Sequence, residues 1–456
     1  MGCETGECMR PKQQAPARHD DLFRARLDQI INLKHPLAVL ADKIDWAWLD
    51  AQVAGCFCDR GRPAEPVRFM IGMFLLKHSY ALSDEQVWDR WVYDPYFQYF
   101  TGEEFFQHEL RHERSGLSHW RKRIGAKLDL LLQESLRLAE DSGALDKRDL
   151  ARVTVDTTVQ PKNVTFPTDA KLLETAIQQL GRLARKHGVA LRQSYRRLAK
   201  RAAMMAGRYA HAKQFKRMNR EIRFLRTRLG RLSRDIRRKI DGDAGLEQIF
   251  AAPLAKASQI RSQKQRQRGR KLYSWHAPET ECIGKGKARA PYEFGCKVSL
   301  TTTNRRCKGG QFILHAKALH GNPYDGHTLA DVIAETEALS GRAIERIYVD
   351  KGYRGHDVER PQRVYRSGQK RGVHGQIKKE LRRRPAIEAV IGHCKTDGHL
   401  DRNFLRGRDG DQFNAVMTAV GYNFRLILRW LAKLLRQIIA AITAAIIPLT
   451  LAKEAS

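Results

Sequence analysis

Apolar residues divide the chain before any composition is counted. Between residues 20 and 145 they recur at helical spacing. The stretch PVRFMIGMFLLKHSYALSDEQVWDRWVYDPYFQYF, residues 66–100, is apolar and aromatic enough to core a helical region. Ser83 and Asp84, followed by Glu85 and Gln86, read as a helix start, so two helices meet near YALSDEQ. SGLSHWRKRIG, residues 115–125, then predicts a short helix carrying Trp120, Arg121, Lys122 and Arg123. That helix is either a reader in a helix-turn-helix arrangement or a solvated basic face.

The pattern changes after VTVDTTVQPKNVTFPTDAKLL. Ile222, Leu225, Leu229 and Leu232 keep helical spacing, with Arg at most other positions. Residues 181–240 hold 21 Lys and Arg against Glu221 and Asp235, a net +19. A basic helical hairpin lying along a phosphate backbone fits this composition. A solvated coiled coil is the alternative, though it has few acids to balance it.

From about residue 290 the period becomes two. YEFGCKVSLTTT and GGQFILHAKALHG predict two strands joined by the turn-like NRRCKGG. HTLADVIAETEALSG predicts a helix ended by Gly341, and IERIYVD a further strand. Strand, hairpin, helix, strand is the order of an α/β sheet.

Charge narrows the function classes. The 456 residues carry 83 Lys and Arg against 50 Asp and Glu, a formal +33, so the expected partner is a polyanion. No GxxxxGK[ST] occurs, nor a GxGxxG after a strand, which leaves no nucleotide-cradling loop. The eight cysteines form no CxxC pair, so reduced thiols in the cytoplasm are expected, without a zinc ribbon or disulfide framework. The start, MGCETGECMR, fits neither a myristoylation signal nor a secretory one, and Met9 is an alternative start. The apolar run 437–452 has 16 residues and contains Pro448, short of the roughly 20 that span a bilayer, so a packing or frayed terminal helix is expected and no membrane partner.

Three carboxylates carry the candidate chemistry. Asp156 ends RVTVD and Asp350 ends IERIYVD, each facing away from the valines and isoleucines of its strand, at the edge where open α/β sheets bind ligands. Glu388 lies in RRRPAIEAVIGHCKTDG, where Ile387, Val390, Ile391 and Cys394 form a buried helical stripe that leaves Glu388 and Lys395 on its flank. Alone, each acid has a plainer reading, as a turn residue or a helix-dipole partner. Together they can hold two divalent metals about 3.5 to 4 Å apart for phosphodiester chemistry, with Mg²⁺ the expected ion and Mn²⁺ able to substitute. Lys351, Arg354, Arg384 and Lys395 would then contact DNA phosphates. HELRH, His108 to His112, formally matches the zinc motif HExxH but reads as a chance match on a charged segment. His315, His320 and His327 lack ligand spacing.

VTVDTTV, YVDKGYRG and RPAIEAVIGHCK resemble the three acidic motifs of insertion-sequence DDE transposases, in the IS-five-like group with an RNase H-like core. RPAEPVRFMIGMFLLKHSYALSDEQVWDRW and SGLSHWRKRIG resemble that group's N-terminal domain. HAPETECIGKGKARAPYEFGCKVSL resembles the segment before its second strand, and LRGRDGDQFNAVMTAVGYNFRLIL its closing region. The resemblance implies an α/β fold: an RNase H-like mixed sheet flanked by helices, with an all-α N-terminal DNA-binding domain (1–147) and a catalytic domain (148–456) interrupted by a basic helical insertion (168–272). It implies Asp156, Asp350 and Glu388 as catalytic metal ligands. Arg384 and Lys395 fall on the motif Y-x2-R-x3-E-x6-K, in which this chain has Leu381 for the tyrosine. Implied too are nicking of terminal inverted repeats, joining of 3′-OH ends to target DNA, and a homodimer or higher multimer on double-stranded DNA in a bacterial, nucleoid-associated cytoplasmic setting. A nonenzymatic nucleic-acid-binding protein, or an inactive transposase that only binds ends, is the alternative.

Overall fold

The computed structural model describes residues 8–9, 25–57, 62–264, 267, 269, 271–284 and 291–454. Most of the N-terminal segment read for a targeting signal lies outside the described residues. The chain divides into two compact units: Met1–Gln160 with Lys297–Ser456, and Pro161–Cys296. The expected insertion, 168–272, thus widens to 161–296.

The first unit begins with helices α1 (Pro36–Lys43), α2 (Trp46–Val53), α3 (Val67–Ser79), α4 (Asp84–Tyr93), α5 (Pro95–Thr101), α6 (Gly116–Ile124) and α7 (Asp129–Asp141). Local chemistry sets their ends. Ser83 Oγ accepts from Gln86 N at 3.1 Å while Gln86 Oε1 accepts from Ser83 N at 2.8 Å, the capping box that starts α4. Asp94 caps α5 ahead of Pro95, and Gly102, at φ +97°, ends it in the left-handed region. Helix α3 is buried on nearly every side, which is why its sequence shows no polar stripe.

Beside a short parallel pair, Cys8–Met9 with Arg62–Pro63, in the region expected to be all-α, the strands of the main sheet are β1 (Arg152–Pro161), β2 (Glu281–Gly284), β3 (Tyr292–Thr303), β4 (Ile313–Leu319), β5 (Arg346–Val349) and β6 (Val364–Arg366). In the first unit the sheet runs β4-β3-β1-β5-β6. β4 is antiparallel to β3. Asn304 N bonds Arg152 O at 2.9 Å, and at the far end of the pair Lys162 N bonds Phe294 O at 2.8 Å, so β3 and β1 are antiparallel. β5 runs parallel to β1, with Val153 opposite Ile347, and β6 runs parallel to β5. The sheet is therefore mixed, as an α/β reading requires. Val153, Val155, Val298, Leu300, Ile347 and Val349 join the residues of α1 to α7 in one hydrophobic core. The boundary expected at 147/148 does not separate two cores.

The second unit holds α8 (Asp169–Lys186), α9 (Arg196–His211), α10 (Phe215–Ile240) and α11 (Ala244–Ser262). Leu173, Ile177, Leu180, Leu225, Leu229, Leu232 and Phe250 form its core. The basic stretch is thus neither a bare hairpin nor a coiled coil: its apolar stripe packs against α8 and α11. β2 pairs with the start of β3, Glu281 opposite Gly295.

The first unit closes with α12 (Leu329–Ser340), α13 (Gly375–Leu381), α14 (Ala386–Gly398) and α15 (Gly407–Glu454). α15 crosses α3 so closely that a Cβ on Gly421 would lie 2.4 Å from the His78 carbonyl oxygen. Asn423 locks α15 to the sheet, accepting from Ile313 N at 3.0 Å and donating to Ile313 O at 2.8 Å. α15 continues as helix through the apolar run 437–452, which was expected to be a packing or frayed terminal helix. Among the described residues, no helix is long and apolar enough to cross a membrane.

Candidate active site

Sheet register brings the first two acids together. Arg152 pairs with Arg346, Val153 with Ile347 and Thr154 with Tyr348, so two more steps along the same register set Asp156 beside Asp350. Adjacent strands lie about 4.8 Å apart, so carboxylates on them share one environment. Asp156 does not end its strand, as the sequence reading expected. β1 continues to Pro161 because the residues that follow are also β-formers and pair with β3. Asp350 does leave its strand: its carboxylate accepts from Gly352 N at 2.7 Å, bending the chain into a short turn.

Glu388 enters from the first turn of α14, whose Ile387, Val390 and Cys394 are buried as the stripe predicts. Arg384, just ahead of this helix, joins all three acids. Its Nη2 is 2.7 Å from Asp156 Oδ2 and 3.9 Å from Asp350 Oδ2, and its Nη1 is 3.3 Å from Glu388 Oε1. Arg384 was expected to contact a DNA phosphate beside the acids. It is instead buried, with its guanidinium engaged by carboxylates.

Burial pushes the Asp156 carboxyl up to about 6; Arg384 opposes the rise, while Asp350 and Asp325 reinforce it. One guanidinium therefore does not neutralise the cluster. Asp325 was missed in the sequence because it stands in GNPYDG, before the predicted helix, where it looked like loop. It accepts from Thr157 Oγ1 at 3.1 Å and from Lys297 Nζ at 3.1 Å, beside Asp156. The Tyr353 hydroxyl is buried without a hydrogen-bond partner, and burial with the charges of Asp325, Asp156 and Asp350 raises its pKa well above the ordinary value.

Three carboxylates around one guanidinium are hard oxygen donors of the kind a divalent ion takes, and as placed their ligand atoms do not all lie within 4.8 Å of one another. Glu388 has 66% of its side chain exposed and meets the cluster through Arg384.

The remaining candidates divide. Lys351 and Arg354 are exposed beside Asp350, and Lys395 is half-buried on α14. Trp120 is 2% exposed and packs in the core, which removes it from any DNA surface. Arg121 is likewise structural: it pairs with Asp84 and lies over the Phe74 and Phe413 rings. Arg123 rests on Phe57 and Trp120, leaving Lys122 exposed on α6. Both corrections have one cause: a nine-residue helix with an apolar stripe must bury one face, and Trp120 and Arg121 fall on it. HELRH is not helical, so His108 and His112 lack the shared face that HExxH needs, and His112 pairs with Glu65. His315 pairs with Glu335 at 3.2 Å.

Residues 25–123 match the family described as Transposase domain (DUF772). The chain is 51% identical over 208 residues to the uncharacterized protein ORF8 in the nfe locus of Rhizobium meliloti, a match spanning 45% of this chain and 100% of that relative. No solved structure matches the chain. The chain belongs to the family of this Rhizobium meliloti protein, and its residues 25–123 are similar to a transposase domain.

Proposed function

We propose that the chain is a DDE transposase of the IS-five-like group that nicks the terminal inverted repeats of an insertion sequence and joins the exposed 3′-OH ends to target DNA. The observation that carries this reading is the contact of one guanidinium, Arg384, with carboxylates 156, 350 and 388. Asp156, Asp350 and Arg384 are far apart in the chain and are brought together by the fold, and Glu388 joins them from four residues past Arg384. A mixed sheet whose strand β1 carries one acid, and whose parallel neighbour β5 delivers the next, supports an RNase H-like core.

In this reading Asp156, Asp350 and Glu388 hold the metal ions, and Arg384 keeps the acids together before the ions arrive. Two Mg²⁺ ions, or Mn²⁺ in their place, would activate the attacking oxygen and stabilise the leaving one in an in-line displacement. Lys351, Arg354 and Lys395 bind flanking DNA phosphates. Double-stranded DNA is the partner, and a homodimer or larger multimer pairs two ends. The helical region 1–147 contributes DNA contacts through exposed positions such as Lys122.

The test is nicking of a duplex bearing the element's ends, with Mg²⁺ and the full chain. Asp156→Ala, Asp350→Ala and Glu388→Ala should each abolish nicking while DNA binding persists. Nicking that survives all three would sink the assignment. DNA binding by the wild type with no nicking in Mg²⁺ or Mn²⁺ would favour the nonenzymatic reading.

A further inference from the structure

A second basic surface lies across α14 from the carboxylates. It is a groove of about 1020 Å³ in the first unit, lined by eight Lys and Arg against two acids, Asp149 and Glu380. Both acids are already engaged: Asp149 by Arg305 at 3.1 Å, and Glu380 by Arg346 at 2.8 Å. Arg306, Lys308, Arg383 and Arg429 are exposed and have no carboxylate at ion-pair distance among the described residues. The groove therefore presents positive charge that the protein does not neutralise.

Its rim is built rather than loose. The turn NRRCKGG between β3 and β4 supplies Arg305, Arg306 and Lys308. Cys307 N bonds Gly310 O at 2.7 Å, Gly310 N returns to Cys307 O at 3.1 Å, and Gly309 N bonds Ala144 O at 2.8 Å. A Cβ on Gly309 would lie 2.6 Å from Ala144 Cβ, so only glycine lets the turn sit this close. With Cys307 buried beneath, Arg306 and Lys308 are left outward. The opposite wall is α15, through Arg429 and through Lys433 over the Trp430 ring.

Ala386, Ala389 and His393 of α14 line the groove. Ala386 and Glu388 are two residues apart, which turns them about 200° apart around a helix only about 10 Å wide. The groove and the carboxylates are thus the two sides of one helix, separated by less than one turn of B-DNA. We propose that the groove binds the phosphate backbone of the same DNA duplex, flanking the phosphodiester engaged at Asp156, Asp350 and Glu388. This rests on the transposase reading for the identity of the polyanion. A second copy of this chain is a poor occupant, because each copy carries +33.

The experiment measures binding of a 30-base-pair duplex by fluorescence anisotropy across a salt series, without divalent metal, using the full chain. In Arg306→Glu/Lys308→Glu/Arg429→Glu we expect about a tenfold or greater loss of affinity near 0.1 M salt, and a log–log salt slope lower by about 0.9 for each phosphate contact removed. Arg306→Ala, Lys308→Ala and Arg429→Ala taken singly should each lower the slope by about one, which covers any misfolding of the triple variant. Arg342→Glu/Arg360→Glu/Arg408→Glu makes the same net charge change on exposed positions outside the groove, the carboxylate cluster and region 1–147, and should lose far less. Equal losses in the two triple variants, an unchanged slope in the single variants, or tighter capture of duplex RNA of the same length would overturn the proposal. If the wild type never nicks DNA while the groove variants still lose binding, the transposase reading fails and the groove stands.

Discussion

Arg384 Nη2 lies 2.7 Å from Asp156 Oδ2, yet the Asp156 carboxyl is held at about 6 rather than below its ordinary 3.8. An ion pair this short normally lowers an acid. Here burial is the larger effect, and the charges of Asp350 and Asp325 add to it. Three acids and one guanidinium form a cluster with more negative charge than its own cation can balance. Such imbalance costs stability in the free protein and leaves room for a further cation.

The first prediction concerns stability against pH. The folded carboxyl of Asp156 keeps its proton up to about pH 6, while the unfolded one loses it near 3.8. Between those values the folded state binds more protons, so stability falls as pH rises, and the deficit is complete above about 6. A shift of this size corresponds to at most about 3 kcal/mol. Asp156→Asn removes the deficit. Urea unfolding from pH 4 to 8 should show the variant more stable by about 1 to 3 kcal/mol at pH 7.5, converging on wild type near pH 4. A difference that stays flat across this range would show that burial does not set the Asp156 carboxyl.

The second prediction is that Mg²⁺ or Mn²⁺ stabilises the wild type, because an ion that binds only the folded state contributes RT ln(1 + [L]/Kd), about 2.7 kcal/mol at one hundred times Kd. Asp156→Asn and Asp350→Asn should lose most of this gain. Thermal unfolding with and without each ion reads the effect independently of any DNA chemistry. Equal stabilisation of all three proteins would place the ion elsewhere.

How much of this was legible in the sequence depends on how local each cause is. The capping box at Ser83 and Gln86, the buried stripe of α14, and the strand-ending Asp350 with its glycine turn follow from nearest neighbours, and the structure reproduces them. The length of β1 was misjudged because it depends on pairing with β3, residues 292–303, which no local pattern reports. Trp120 and Arg121 were read as surface because basic residues surround them, while their burial is decided by Phe57, Phe74 and Phe413 on distant segments. Asp325 was invisible for the same reason: its neighbours in sequence are turn residues, and its neighbours in space are Thr157 and Lys297. The one core shared by the N-terminal helices and the sheet is likewise a tertiary fact, hidden by the basic unit between their sequences.

A third prediction tests what holds the strand that delivers Asp350. Glu380 is 2% exposed and accepts from Arg346 Nε at 2.8 Å, Gln376 Nε2 at 2.8 Å and the Tyr348 hydroxyl. Arg346 and Tyr348 belong to β5. Removing the carboxylate leaves the half-buried Arg346 guanidinium and the buried Tyr348 hydroxyl without their acceptor, a loss of about 2 to 4 kcal/mol. Glu380→Ala should therefore unfold at markedly lower denaturant, whereas Tyr348→Phe, which removes one hydroxyl, should cost about 1 to 2 kcal/mol. If Glu380→Ala costs no more than Tyr348→Phe, the network does not anchor β5.

The last prediction separates position from stability at Gly352. Its φ is not in the left-handed region, so conformational freedom is not the reason for glycine here. Close approach is: a Cβ would lie 2.9 Å from Asp350 Oδ1, the atom that accepts the Gly352 amide at 2.7 Å. The obstructing atom ends a short side chain that is 41% exposed, so it can swing aside at little energetic cost. Gly352→Ala should consequently leave unfolding within about 1 kcal/mol of wild type. It should nevertheless weaken metal-induced stabilisation and lower nicking, since the carboxylate leaves the side of Asp156, where a displacement of about 1 Å costs on the order of a hundredfold. Gly421 offers the contrasting control, because there the added methyl meets the His78 backbone, which cannot swing away. Gly421→Ala should lower stability first, and activity only as the fold is lost. Identical profiles for the two variants would show that Asp350 is not held in place by its turn.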